Sequence, residues 1–251
     1  MSQIDFNERY SRQIKLPSIG QSGQARIKDA HVFIVGVGGL GSPVALYLAA
    51  AGVGRITLAD FDLVDESNLQ RQIIHGHNDI GRLKCQSAAD SIRRINPEAN
   101  VETLDFALGY EDFLDRAKLC DLIVDCTDNF PTRFELNRVS LETRTPFVSG
   151  AAIRLEGQVT AFDPNQPDSP CYQCLYPNTQ VEAASCAMEG VIAPLVGVIG
   201  TMQALEAVNI LTGNGQLHGN IWLFDAQYMD WQKMRLPKNP ACEACGNPGI
   251  K

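Results

Sequence analysis

Basic residues are under-supplied in this chain: its 251 residues hold 21 Lys and Arg against 29 Asp and Glu, a formal net charge of −8. That deficit argues against a general nucleic-acid binder, which needs a basic surface, and allows only a local basic pocket able to hold phosphates. No cationic stretch followed by an apolar one opens the sequence, because residues 1–10 are polar and carry Asp5, Glu8 and Arg9, so a cytoplasmic protein is expected. Nor does any apolar run reach the roughly 20 residues that a membrane-spanning helix needs. The longest, residues 191–205, contains Gln203 and runs into Glu206; it reads as a buried helix, and no membrane partner is expected. Internal repeats, low-complexity segments and Gly/Ser-rich linkers are missing too. One domain over residues 1–251 follows, with the polar residues 1–28 as an N-terminal arm that packs elsewhere.

What is present is ordinary globular composition, 45% hydrophobic and 20% charged, organised around one stretch. Residues 32–35 are an apolar run of strand length that ends in Gly36-Val37-Gly38-Gly39-Leu40-Gly41 and leads into a helical pattern. Gly36 permits the tight turn, Gly38 and Gly39 let a polyphosphate approach bare backbone N–H groups, and Gly41 lets the helix pack on the strand. Ser42 is expected as the helix cap and Pro43 as the first helical residue, which makes an anion site of the helix start. A second run, residues 55–59, delivers Asp60 about twenty residues on, where a carboxylate accepts hydrogen bonds from a ribose.

The alternation continues. A long polar loop, residues 61–72, precedes a helix from about Gly81 to Ile95, a strand at 101–104, a short helix at 112–118, an apolar strand at 122–126, a helix at 131–142 and a strand at 146–149. This is the grammar of a doubly wound, Rossmann-like α/β half with parallel strands, and the strand end carrying Thr127-Asp128-Asn129 lies on the ligand-binding edge. Beyond Gly150, strands at 157–162, 221–224 and 229–236 are expected to extend the sheet in antiparallel fashion.

Of the eight cysteines, four form two pairs, Cys171-Tyr172-Gln173-Cys174 and Cys242-Glu243-Ala244-Cys245. Two such knuckles at a distance are expected to close a structural tetrahedral Zn²⁺ site; two unrelated turns or a redox pair compete with that reading. Cys85, Cys120 and Cys126 are expected to pack in the core. Cys186, in a small polar loop, reads equally as an accessible nucleophile and as a tolerated loop thiol. His75 and His77 lack a third ligand and are expected in a solvated loop. Arg71, Lys84 and Asp128 could hold phosphates and Mg²⁺, and each alone could equally be a surface charge.

Taken together, the glycine loop, Ser67-Asn68-Leu69-Gln70-Arg71-Gln72, Lys84, Asp125-Cys126-Thr127-Asp128-Asn129 and the paired knuckles resemble the bacterial relatives of ubiquitin-activating enzymes, which adenylate ubiquitin-like sulfur carriers. Ser149-Gly150-Ala151-Ala152-Ile153-Arg154-Leu155-Glu156-Gly157-Gln158 is most similar to the molybdopterin-synthase branch, with the thiamine-pathway branch as neighbour. The resemblance implies ATP, Mg²⁺ and Zn²⁺, a carrier ending in Gly-Gly, and sulfur from a separate donor such as a cysteine desulfurase or rhodanese. It also implies that Gly39 lies against the nucleotide, Asp60 holds the ribose, and Ser67, Asn68, Leu69, Gln70, Arg71, Lys84, Asp128 and Asn129 form the ATP site. Within that site Asn68, Arg71 and Lys84 reach the phosphates and Asp128 helps bind Mg²⁺. Arg12 acts across a homodimer in this family, a surface arginine being the alternative, and Cys186 serves later sulfur transfer in part of it. Against this stand a zinc-stapled nucleotide-binding scaffold without catalysis and a nicotinamide-dependent oxidoreductase.

Overall fold

The computed structural model describes residues 5–177 and 189–246; Cys186 lies outside them. In chain order come α1 (Phe6–Arg9), α2 (Ser11–Ile14), α3 (Gly20–Asp29), β1 (His31–Val35), α4 (Gly41–Ala51), β2 (Arg55–Ala59), α5 (Lys84–Ile95), β3 (Asn100–Leu104), α6 (Tyr110–Ala117), β4 (Leu122–Asp125), α7 (Phe130–Thr143), β5 (Phe147–Ile153), β6 (Glu156–Phe162), α8 (Tyr172–Leu175), α9 (Ala193–Thr212), β7 (Asn220–Asp225) and β8 (Asp230–Arg235). The strands form one 8-stranded sheet in the order β3-β2-β1-β4-β5-β6-β7-β8. The first five in that order run parallel, and β6, β7 and β8 add on antiparallel, as the sequence pattern predicts.

Strand β1 is buried along its whole length, so its side chains feed two cores by strand alternation. Val32 and Ile34 pack with Ile27 of α3, Val44 and Leu48 of α4, Ile92 of α5 and Ile199 of α9. Phe33 and Val35 face the opposite layer, with Phe113 of α6, Leu136 of α7 and Tyr172 of α8. Because β1 pairs with β2 on one side and β4 on the other, the loops leaving β1 and β4 part to opposite faces and open a crevice at their C-terminal ends.

Three details differ from the sequence-based expectation. Helix α4 starts at Gly41, so Ser42 is its second residue; the Ser42 hydroxyl donates back to Gly38 O (2.6 Å) and caps nothing. The polar lead-in is helical and packs on its own body: Asn96 Nδ2 donates to Tyr10 Oη (3.4 Å), and the side chains of Gln13 and Gln24 donate to Ala51 O at the end of α4. Helix α9 is the buried helix expected from residues 191–205, but it outruns that stretch: at 20 residues it is long and apolar enough by length and composition to cross a membrane. It instead runs through the fold against α4, β5 and β6. It buries Gln203, which donates to Asp125 O (2.6 Å), and Glu206, which accepts from the Gln216 and Leu217 amides (both 2.8 Å). The Glu206 carboxylate and the Gln203 amide nitrogen gain partners inside, which lowers the penalty that would otherwise end an apolar helix there; Gln203 Oε1 is buried without one among the described residues.

Candidate functional site

The crevice at the sheet edge is a cavity of about 740 Å³, a volume suited to a cofactor-sized ligand. It gathers Gly36, Gly38 and Gly39 from the loop after β1, Asp60 from the end of β2, Asn68 and Arg71 from the long loop, Lys84 from the start of α5, and Asp128 and Asn129 from beyond β4. Gly41, Ser67, Leu69, Gln70 and Arg12 do not line it.

Backbone geometry explains the glycines. Gly36 has φ of 89°, the left-handed region, and turns the chain out of β1. At Gly41 a Cβ would lie 2.1 Å from Gly36 O, so only a bare α-carbon lets the helix start against the turn. Gly41→Ala therefore forces loop and helix apart and should cost about 1–3 kcal/mol, in line with other overpacking changes. An unchanged Tm for this variant would contradict the assignment.

Charge is distributed with a plan. Asp60 accepts hydrogen bonds from the Val37 amide (2.8 Å) and the Asp62 amide (3.0 Å), which hold its carboxylate beside the glycine loop. Burial pushes its pKa up, and Lys84 and those two amides pull it back. Lys84 is itself buried, with Nζ 2.8 Å from an Asp62 carboxylate oxygen. Arg71 donates to Ser67 O (3.0 Å), which ties it to the start of the Ser67 to Gln70 run; three members of that run miss the cavity. Asp128 is exposed at the tip of β4, and Asn129 accepts from the Thr132 amide (3.0 Å) as the cap of α7.

Behind Asp128, Asp125 and Thr127 of the same motif meet Arg133, which escapes a reading of the sequence. Asp125, fully buried, accepts from the Thr127 amide (3.0 Å), the Thr127 hydroxyl (2.6 Å) and the Ser149 hydroxyl (2.7 Å). Arg133 of α7 pairs with it at 3.4 Å and donates to the Thr127 and Gly150 carbonyls. This buried pair fixes the loop that presents Asp128. Nothing in the local sequence marks Arg133, because its partners come from β4 and β5. Tyr176 and Gln158, hydrogen-bonded at 2.9 Å, also line the cavity, as does buried Gln72.

The four knuckle cysteines converge: one sulfur from each lies within 4.8 Å of the other three. The contacts Cys171–Cys242 at 3.7 Å and Cys174–Cys245 at 3.4 Å are near the roughly 3.8 Å edge of a tetrahedron with Zn–S bonds of about 2.3 Å. No disulfide links them. Tyr172, between the first two, is fully buried and touches the rings of Phe130, Phe134, Phe147 and Phe162, so the knuckle abuts the wall of the cavity. Cys85 and Cys126 are buried and Cys120 packs against the second core, as expected for packing residues; burial pushes the Cys85 and Cys120 thiols up to about 12.

The expectation of a solvated loop fails for one of the two histidines. His75 is buried and bonded on both ring nitrogens, not solvated, and only His77 is exposed.

Comparison with known proteins settles the family. The ThiF family profile matches residues 10–244. This chain belongs to the ThiF family. It is 45% identical over 239 residues to the molybdopterin-synthase adenylyltransferase of Escherichia coli, covering 95% of this chain and 96% of the relative. It is 41% identical over 246 residues to the sulfur carrier protein ThiS adenylyltransferase of the same organism, covering 98% and 97%. The SAMP-activating enzyme E1 of Haloferax volcanii is 39% identical over 246 residues, with 97% and 90% covered. The solved structure of E. coli MccB with ATP superposes with a TM-score of 0.82 over 96% of the chain and 75% of MccB at 22% identity, a likeness of fold. This ThiF-family chain thus stands among adenylyltransferases over nearly its whole length.

Proposed function

We propose that the protein uses ATP to adenylate the C-terminal glycine carboxylate of a small ubiquitin-like sulfur carrier ending in Gly-Gly, for molybdenum cofactor biosynthesis. The observation that carries this reading is the convergence of the glycine loop, Asp60, Arg71, Lys84 and Asp128 on one cavity in a chain of this family. The 45% identity to a molybdopterin-synthase adenylyltransferase favours that branch, and the 41% identity to a thiamine-pathway relative makes its carrier the second reading. Residues 1–251 act as one adenylating unit, and sulfur comes from a separate donor.

A carrier carboxylate oxygen attacks the α-phosphorus of ATP; the Pα–O bond to the β-phosphate breaks, and pyrophosphate leaves with the electron pair. The carboxylate is ionised at neutral pH, so no strong base is required, and the work is alignment and charge neutralisation. Asp60 accepts the ribose hydroxyls. Asn68, Arg71 and Lys84 meet the phosphates, Arg71 by its fork and Lys84 as a point charge. Asp128, an exposed carboxylate with no described partner, is suited to hold Mg²⁺, which when bound neutralises phosphate charge. Carrier-dependent exchange of labelled pyrophosphate into ATP tests the reading, since neither a nucleotide-binding scaffold nor an oxidoreductase supports it.

The four cysteines hold one structural Zn²⁺, whose closed coordination leaves no position for substrate. Cys242→Ser is expected to release the metal and lower Tm by several degrees while the glycine loop stays formed. Elemental analysis finding no metal in fresh protein, or an unchanged Tm, would count against the site. Cys186 takes no part in adenylation, which needs no thiol, and serves later sulfur transfer.

The functional unit is a homodimer. Helix α9 and its neighbour α4 carry exposed Val198, Leu205 and Tyr47, apolar groups that a second copy can cover. Arg12 is exposed on α2, and no partner for it occurs among the described residues. The adjacent Gln13 is tied to the far end of α4, about 16 Å from the glycine loop by the length of that helix. Arg12 therefore serves the site of the other subunit.

A further inference from the structure

We infer that His75 is a positioning residue of the nucleotide loop: it aims the Gly38 amide at the ligand. The inference rests on the reading of the cavity as an ATP site. His75 lies on the turn after the long loop and is 7% exposed, and each of its ring nitrogens has a single partner, Ser87 Oγ at 2.8 Å for Nδ1 and Val37 O at 3.1 Å for Nε2. A carbonyl oxygen only accepts, so Nε2 carries the proton. Burial pushes the imidazole pKa down, which keeps the ring neutral, and Nδ1 is then the acceptor that faces the Ser87 hydroxyl, a group the Asp79 carboxylate also approaches. Ser87 belongs to the first turn of α5, the helix that begins with Lys84. His75 thus bridges the glycine loop to the helix that supplies a phosphate cation.

The effect on the loop follows from the planarity of the peptide. Val37 O and the Gly38 N–H belong to one trans unit and point in opposite directions, so a donor that fixes the oxygen also fixes the N–H. The preceding peptide is fixed as well, because the Val37 N–H donates to Asp60 at 2.8 Å. Val37 is therefore clamped at both ends, by Asp60 and by His75. Gly38 lines the cavity, and among the described residues its N–H has no hydrogen-bond acceptor. That free donor is suited to a phosphate oxygen, and its direction is held before the ligand arrives.

The test compares two substitutions of similar bulk. His75→Gln keeps a side-chain N–H able to reach Val37 O, whereas His75→Met fills the space without a donor. ATP affinity is measured by calorimetry without carrier, and Tm is recorded for each protein. Loss of the donor should weaken ATP binding about tenfold in His75→Met, the size of one hydrogen bond. His75→Gln should stay within about threefold of wild type, and the KM for carrier should be unchanged in both. Equal ATP affinity in the folded Met and wild-type proteins would overturn the inference. So would equal losses in the Gln and Met variants, which would make His75 a space-filling residue. If Met does not fold, Ser87→Ala replaces it: loss of the Nδ1 partner should weaken ATP binding, and an unchanged affinity would overturn the inference. A wild-type protein that binds no ATP would instead refute the underlying reading of the cavity.

Discussion

Asp128→Ala is expected to reduce pyrophosphate exchange by about a hundredfold or more while leaving the fold intact. The loss follows from removing the carboxylate suited to Mg²⁺ at the point where charge builds up on the departing pyrophosphate. The fold survives because Asp128 is exposed, and the loop carrying it is held by its neighbours: Asp125 accepts from Thr127, and Arg133 donates to the Thr127 and Gly150 carbonyls. Circular dichroism and Tm should match wild type. A folded variant that exchanges at the wild-type rate at saturating Mg²⁺ would show that Asp128 does not act in the reaction. Arg71→Ala should lose activity in the same way, through weaker stabilisation of the leaving group.

A second large effect is expected from mixing subunits. Arg12→Ala and Asp128→Ala should each be inactive alone, since every site then lacks one of the two groups. In a mixed dimer, the subunit that keeps Asp128 receives Arg12 from its neighbour, and the other site lacks both. Random exchange makes about half of the dimers mixed, each with one good site of two, so roughly a quarter of wild-type activity should return. An arginine supplied in trans stabilises transferring phosphoryl charge as an arginine finger does. No recovery after verified subunit exchange would mean that Arg12 acts within its own chain or not on ATP.

The sequence is legible where burial is continuous and local. Strand β2 at Arg55–Ala59 has the bounds its apolar run suggests, because its last four residues are buried and turn-forming residues flank it. The glycine loop is legible because its glycines answer to steric limits visible in the spacing, as at Gly41. The lead-in is less so: α1 and α2 are four residues each, too short for a periodic signal, and they hold by contacts to Ala51 and Asn96 that are distant in sequence. Helix α9 outruns the apolar stretch that suggests it, because Gln203 and Glu206 look like its end but find partners inside. His75 and Arg133 are illegible in the sequence for the same reason. Each takes its role from carbonyls on other elements, and a side chain whose meaning depends on a distant backbone oxygen leaves no mark in its own neighbourhood.

The most direct test of the central claim is exchange of labelled pyrophosphate into ATP by the purified protein, run with each candidate Gly-Gly carrier and with the same carrier lacking its last glycine. Exchange that requires Mg²⁺ and the intact carrier, and is strongest with the molybdopterin-pathway carrier, is the result expected. Binding of ATP with no carrier-dependent exchange for any candidate would contradict the account.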